Sequence, residues 1–246
     1  MMNVETMEAL DGHGLMIYQK KDGFRFGIDA VLLAHFADFK DKGIILDLGS
    51  GTGVIPLLLQ RRFTHAKFLA LEIQKPLVEM IQRSIFINHL EEKLEVREGN
   101  MVATGLRPSS IDGITCNPPY YATSQKLQSP NEMKAISRHE LLMDFDGLCK
   151  EAGRILKPNG SFFLIHRPHR LVELLETLRK YKLEPKVIRF IHPEKEKPAN
   201  LVLIKAVRGA GAEMKIEKPL VVYEDGTYTQ ELLAIYDALD IERNNR

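Results

Sequence analysis

Only two cysteines, Cys116 and Cys149, occur in the 246 residues. Two thiols cannot make the disulfide framework of a small secreted fold, and no cluster has zinc-ligand spacing, so no metal is expected. No stretch approaches the roughly 18 apolar residues of a membrane helix. The first 11 residues hold three acids and no apolar core of signal-peptide length. A membrane partner is therefore not expected, and a reducing cytoplasm is the expected compartment. No internal repeat or low-complexity run is present. Net charge is nearly absent at +1, which gives no global case for nucleic-acid binding. Its distribution is more informative. Residues 178–218 carry 11 Lys/Arg against 5 Asp/Glu, and residues 224–246 carry 2 against 6. A basic lobe on a balanced body suits phosphates, although each lysine can equally be a solvated surface residue.

What is present is an alternation of short apolar runs and helical patterns. With 44% hydrophobic and 27% charged residues, one domain of moderate size is expected. Ile44-Ile45-Leu46-Asp47-Leu48 reads as a buried strand that ends in glycines. A helix follows over about 54–62. The pattern repeats with a strand at 68–71, a helix at 76–88, and strands at 94–96 and 111–116. After a long loop, residues 141–155 have helical spacing. Lys157 to Gly160 turn the chain into a strand at 161–165, followed by a helix at 171–181. Two strands with no helix between them, 187–191 and 201–207, suggest a terminal antiparallel hairpin. Before all of these, Leu15 to Tyr18 form a possible short strand, residues 20–23 a turn, and Asp29 a cap for a helix through 30–36. Strands separated by helices imply βαβ units. The expected fold is α/β: a Rossmann-like, seven-stranded, mostly parallel sheet with a C-terminal antiparallel hairpin and helices on both faces. The expected organisation is a covering segment at 1–28, the main domain at 29–208, and a C-terminal arm with a short helix at 209–246.

The first glycine-rich turn is Asp47-Leu48-Gly49-Ser50-Gly51-Thr52-Gly53. It lacks the Lys-Ser/Thr ending of a P-loop, and Val54 stands where a dinucleotide fingerprint would place its last glycine. Gly49, Gly51 and Gly53 let backbone approach a ligand closely. Asp47 can accept hydrogen bonds from an ammonium group or from loop amides. Glu72 ends the next strand, where an acid can hold both hydroxyls of a ribose. Asn100 follows the third strand and can read an adenine edge or cap its own loop.

Asn117-Pro118-Pro119-Tyr120 comes directly off the fourth strand. The prolines stiffen the turn and remove its N–H donors, which leaves a wall of acceptors. Such a wall suits a planar –NH₂ group. The Asn117 side-chain oxygen and the Pro118 carbonyl can each take one hydrogen and aim the nitrogen lone pair at an electrophilic methyl. Tyr120 offers a flat face for stacking. Positioning then carries most of the catalysis, without a strong base. His166 and His169 have metal-compatible spacing but no third ligand, so loop or surface packing is the simpler reading. Cys116 reads as a small buried hydrophobe.

Together these residues resemble the class I S-adenosylmethionine-dependent methyltransferases over about residues 24–208. The resemblance implies S-adenosylmethionine as cofactor, held by Asp47, Gly49, Gly51, Gly53, Glu72, Asn100 and Asn117. Many members have an aspartate where Asn100 stands. The segment Phe24 to Asp29 resembles the one that packs over the cofactor's methionine part, with Phe26 as the contact. Asn117, Pro118, Pro119 and Tyr120 match the catalytic motif of the amino-methylating branch. Phe24 to Ala30, Ser137-Arg138-His139-Glu140 and Pro198-Ala199-Asn200-Leu201 make the chain similar to the bacterial tRNA1(Val) adenine-37 N6-methyltransferases. That similarity implies tRNA as partner, with a target base turned out of its stack. Tyr120, Arg138, His139, Arg167, Arg170, Lys195 and Lys197 would be the substrate contacts. The same tetrapeptide also fits a protein glutamine N5-methyltransferase, a guanine N2 enzyme or a DNA adenine N6 enzyme. The glutamine enzymes usually carry a helical N-terminal substrate domain, and only 28 residues precede Asp29 here. Oligomeric state is open, with a monomer favoured.

Overall fold

A computed structural model describes residues 5–20, 27–118 and 145–239. Its centre is a ten-stranded sheet. The strands, in chain order, are β3 (Ile44–Leu48), β4 (Lys67–Glu72), β5 (Leu94–Glu98), β6 (Ile111–Cys116), β7 (Leu156–His166), β8 (Leu183–Glu194), β9 (Leu201–Arg208), β10 (Lys215–Ile216), β11 (Leu220–Glu224) and β12 (Thr227–Tyr228). They lie in the order β12-β11-β8-β9-β7-β6-β3-β4-β5, and β10 also pairs with β8. The run from β5 to β8 contains the seven strands read from the sequence. Pairing is parallel from β5 through β7, and β9 is antiparallel to both β7 and β8.

Residues 215–228 are more than an arm. β11 runs parallel to β8, with Leu220 opposite Ile191, and extends the same sheet. A parallel edge pairing of this kind leaves no local sequence signal, because its partner lies about thirty residues away.

Helices cover both faces because the central strands are apolar on both. On one face lie α1 (Ile28–Phe36), α2 (Val54–Arg62), α3 (Lys75–Ile87) and α6 (Gln230–Ala238). They pack on Ile45, Phe68, Ala70, Phe163 and Ile165. On the other face, α4 (Phe145–Ile155) and α5 (Leu171–Lys180) cover Leu46, Leu48, Leu71, Ile114, Phe162 and Leu164. In α4 the buried set includes Phe145, Leu148, Cys149, Ala152 and Ile155, the stripe expected of a helix lying on a sheet. Each fully buried Leu or Phe contributes roughly 1.5–3 kcal/mol of transfer free energy. Cys116 is fully buried in this second core, as its sequence context indicated.

The N-terminal region differs from its sequence reading. β2 (Met16–Lys20) contains most of the expected strand, but β1 (Glu5–Ala9) also forms and pairs with it as a separate antiparallel hairpin. β1 has a mixed polar pattern that gives no clear alternation. Asp29 does not cap α1. Gly27 is the N-cap, and Asp29 lies inside the first turn, where its Oδ1 accepts from the Ala30 N–H. The helix starts earlier because Ile28 joins its first turn. An acid in that position still favours the positive end of the helix.

Candidate functional site

The site forms where the strand order reverses. β3 pairs with β4 on one side and β6 on the other, so the chain leaving β3 crosses one way and returns on the other. Ligands of open α/β sheets sit at the carboxyl ends of strands flanking such a point. Pairing of Asp47 with Thr115 and Leu48 with Cys116 brings the glycine loop beside Asn117.

Positive φ angles at Gly49 (72°), Gly51 (57°) and Gly53 (85°) explain the three glycines. L-residues rarely adopt that region. The loop is tied down by Gly49 and Ser50 N–H donors to the Leu71 carbonyl, at 2.9 and 3.1 Å. A methyl added at Gly49 would lie 2.5 Å from the Met101 side chain, whereas one at Gly51 would meet nothing within 4 Å. The backbone at Gly51 therefore faces open space.

Asp47 lies beneath the loop and is only 2% exposed. Its Oδ1 accepts from the Thr115 hydroxyl at 2.6 Å, and its Oδ2 is buried without a hydrogen-bond partner. Burial pushes the Asp47 carboxyl up to about 6, the Thr115 and Ser50 hydroxyls pull it down, and the nearby Glu72 charge raises it further. Such an oxygen fits a cationic or N–H donor group from a ligand.

Glu72, also buried, accepts the Gly51 N–H at 2.8 Å on Oε2 and the Gln74 N–H at 3.0 Å on Oε1. Its carboxylate thus links the glycine loop to the turn before α3. Ile73, which follows directly, was not singled out in the sequence. It is a 49% exposed aliphatic side chain at the carboxyl end of β4, and its signal was an apolar residue immediately after a strand-ending acid. Asn100 caps its own loop, its Oδ1 accepting the Val102 N–H at 3.0 Å. The oxygen expected to read an adenine amine is therefore already engaged once.

Asn117 is half-buried and Pro118 buried at the end of β6. Pro119, Tyr120, Arg138, His139 and Phe26 lie outside the described residues, as does Glu140. On the adjacent β7, His166 is buried and accepts the Arg167 N–H on Nδ1 at 2.7 Å. Burial, then the Arg170 charge, lower its pKa to about 4. It is a neutral, loop-packing imidazole, with the Arg170 Nη1 3.5 Å from its Nε2. His169 is exposed. Among the described residues no group of three His, Cys, Asp or Glu is placed to hold a metal.

The expected cations are less available than their number implies. Arg167 donates to the Asn200 carbonyl at 3.0 Å, Arg170 pairs with Glu173, and Lys197 pairs with Glu194 at 2.5 Å. Across the basic stretch, Arg179 pairs with Glu184, Lys180 with Asp146, Arg189 with Glu231 and Lys215 with Glu217. Lys195 is exposed and has no such pairing. Five of the eleven cations in that stretch are thus ion-paired, two of them with acids from outside it, Asp146 and Glu231, which sequence composition cannot reveal. Among the described residues no helix is long and apolar enough to cross a membrane.

A parallel sheet whose strand order reverses at β3/β6, a left-handed glycine loop, and a buried acid at each of two strand ends define a class I S-adenosylmethionine-dependent methyltransferase. More narrowly, the chain belongs to the Methyltransferase small domain family, which matches residues 26–184. It is similar to a tRNA1(Val) (adenine(37)-N6)-methyltransferase of Phocaeicola vulgatus, 28% identical over 89% of this chain and 92% of that protein. A protein of the same name from Shewanella sediminis is 28% identical over 85% and 89%. The fold is shared with a solved structure described as a predicted O-methyltransferase of Agrobacterium tumefaciens. Its TM-score is 0.68 at 22% identity, covering 89% of this chain and 100% of that one. A geranyl diphosphate C-methyltransferase of Streptomyces coelicolor, solved with S-adenosyl-L-homocysteine, has a TM-score of 0.57 at 16% identity, covering 74% and 77%.

Proposed function

We propose that this methyltransferase acts on the N6 amine of an adenine in tRNA, with adenine 37 of tRNA1(Val) as the specific target. The carrying observation is Asn117 at the end of β6, held against the glycine loop by the Asp47–Thr115 register. The extended match to relatives named for this reaction supports the choice of base and RNA.

S-adenosylmethionine supplies an electrophilic methyl when bound. The residues present fit it: the unpartnered Asp47 Oδ2, the open space at Gly51, and the Glu72 carboxylate at the neighbouring strand end. Asp47 would meet the cofactor's ammonium group and Glu72 its ribose hydroxyls. Gly49, Gly51 and Gly53 would admit its backbone-contacting portion, and Ile73 and Asn100 would border its purine, Phe26 covering the methionine part. Asn117 and the Pro118 carbonyl would orient the target amine, with Pro119 stiffening the turn and Tyr120 stacking the base. The amine loses its proton as positive charge develops, so orientation matters more than a resident base. Arg138, His139, Arg167, Arg170, Lys195 and Lys197 would contact the RNA, Lys195 being exposed and outside any ion pair among the described residues.

Two outcomes are expected. Glu72→Ala should weaken S-adenosylmethionine binding by about tenfold or more, since it loses a charge-assisted contact and also frees the Gly51 N–H. Calorimetry giving an unchanged Kd would remove Glu72 from the cofactor site. The protein should also transfer labelled methyl to unmodified tRNA and yield N6-methyladenosine on nucleoside mass spectrometry. Label found only in a release factor, only in duplex DNA, or as methylguanosine would reject the proposed substrate.

A further inference from the structure

Among the described residues two buried side-chain oxygens make neither a hydrogen bond nor an ion pair. One is Asp47 Oδ2 and the other is Gln19 Oε1. A third, Asp11 Oδ2, lacks a conventional hydrogen bond but forms an ion pair with Arg61 at 3.0 Å. Gln19 is 1% exposed and lies on β2 beside Ile17, which is fully buried in the core under α1–α3. An amide oxygen placed there without a hydrogen bond costs free energy that an apolar residue of the same size would not.

The location of β2 suggests what the amide is for. Asn88 and Ser84, one helical turn apart on α3, accept the N–H groups of Met16 and Tyr18 at 2.8 and 3.0 Å. Two strand residues advance about 6.6 Å and four helical residues about 6 Å, so the strand and helix stay in step. β2 therefore runs antiparallel to α3, toward the helix start at Lys75 and the carboxyl edge of the sheet. Continuing that register brings Gln19 level with the turn from Met80 to Arg83. Ile81 in that turn abuts the glycine loop: a methyl added to Gly53 would lie 3.1 Å from Ile81 Cγ1. The register of β2 on α3 thus leads the backbone at Gln19 toward the helical turn that flanks the glycine loop above Asp47.

We infer that Gln19 is a cofactor-binding residue, and that its amide meets the zwitterionic amino-acid end of S-adenosylmethionine. An amide suits that group because its oxygen accepts from an ammonium and its nitrogen donates to a carboxylate. This rests on the cofactor reading and adds the β1–β2 hairpin to the pocket. The hairpin is then a functional element, and its anchoring by Ser84 and Asn88 positions Gln19.

Gln19→Met replaces the amide by an apolar side chain of similar length. The inference expects three results together. S-adenosylhomocysteine should bind the variant at least about tenfold more weakly than it binds the unaltered protein. Methylthioadenosine, which has no amino-acid end, should bind both equally. The ligand-free variant should melt at least about 2 °C higher, because a buried unsatisfied group is gone. An amide with a purely structural role would lower the melting temperature instead. An unchanged Kd for S-adenosylhomocysteine, or equal losses for both nucleosides, overturns the inference while leaving the cofactor intact. Unaltered protein that binds neither nucleoside would overturn the cofactor site and Gln19's part in it. If Gln19→Met does not fold, the side-chain amide resonances of ¹⁵N-glutamine-labelled unaltered protein decide the matter. The Gln19 signal should shift with S-adenosylhomocysteine and stay in place with methylthioadenosine. A signal indifferent to both rejects the contact.

Discussion

Asn117→Ala is expected to lower kcat by about 10²–10³-fold, equivalent to about 3–4 kcal/mol of transition-state stabilisation, while changing the S-adenosylmethionine Kd by less than about threefold. The asymmetry follows from the position of the side chain. Asn117 emerges from β6 where parallel pairing with β3 aligns it beside the glycine loop. Pro118, buried directly behind it, has no N–H and a restricted φ, so the Asn117 carboxamide stands on a stiff support. Its oxygen would become a stronger partner as the target amine gains positive charge, and an interaction that grows in the transition state appears in kcat. Single-turnover methyl transfer and cofactor calorimetry on the same preparation separate the two effects. Unaltered turnover would make Asn117 a structural turn residue.

Asp47 is expected to make cofactor binding strongly pH-dependent. Burial raises its folded-state pKa to about 6, from the 3.8 usual for an aspartate. The proton is then held more tightly in the folded chain than in the unfolded one. This favours folding fully below about pH 4, and the advantage is lost as pH rises through about 6. The ionised carboxylate costs the ligand-free protein about 3 kcal/mol at neutral pH. A cationic ligand group at Oδ2 would offset that cost, so binding should favour the ionised form. S-adenosylmethionine affinity should fall about tenfold for each unit below about pH 6 and level off above it. Asp47→Asn should abolish this dependence, weaken binding about tenfold or more at pH 8, and raise the ligand-free melting temperature at pH 8 but not at pH 4. A flat affinity profile in the unaltered protein would exclude Asp47 from contact with the ammonium group.

The legible parts of the fold were those encoded locally. Ile44–Leu48, Val54–Arg62 and Ile111–Cys116 form where apolar runs and helical spacing indicated them. The glycines at 49, 51 and 53 carried their positive φ in their identity, because few other residues tolerate it. β1 was missed because its mixed pattern identifies neither a buried face nor a partner. The cap at Asp29 was misplaced by two residues because aspartate suits both an N-cap and a first turn. The basic stretch overstated the free charge, since its partners, such as Asp146 for Lys180 and Glu231 for Arg189, lie 34 and 42 residues away.

By itself, the sequence determined the chemistry of the Asn117-Pro118-Pro119-Tyr120 turn: covalent rings and missing N–H groups make it rigid and poor in donors wherever it is placed. Local spacing likewise determined the βαβ alternation and the glycine loop. Only the tertiary structure decided that β3 and β6 are neighbours, although 62 residues separate the end of one from the start of the other. Strand order is a choice among long-range pairings of similar local energy, settled by how two apolar faces are covered at once. That choice brings Asp47 beneath the glycine loop next to Asn117 and leaves one of its carboxylate oxygens without a hydrogen bond.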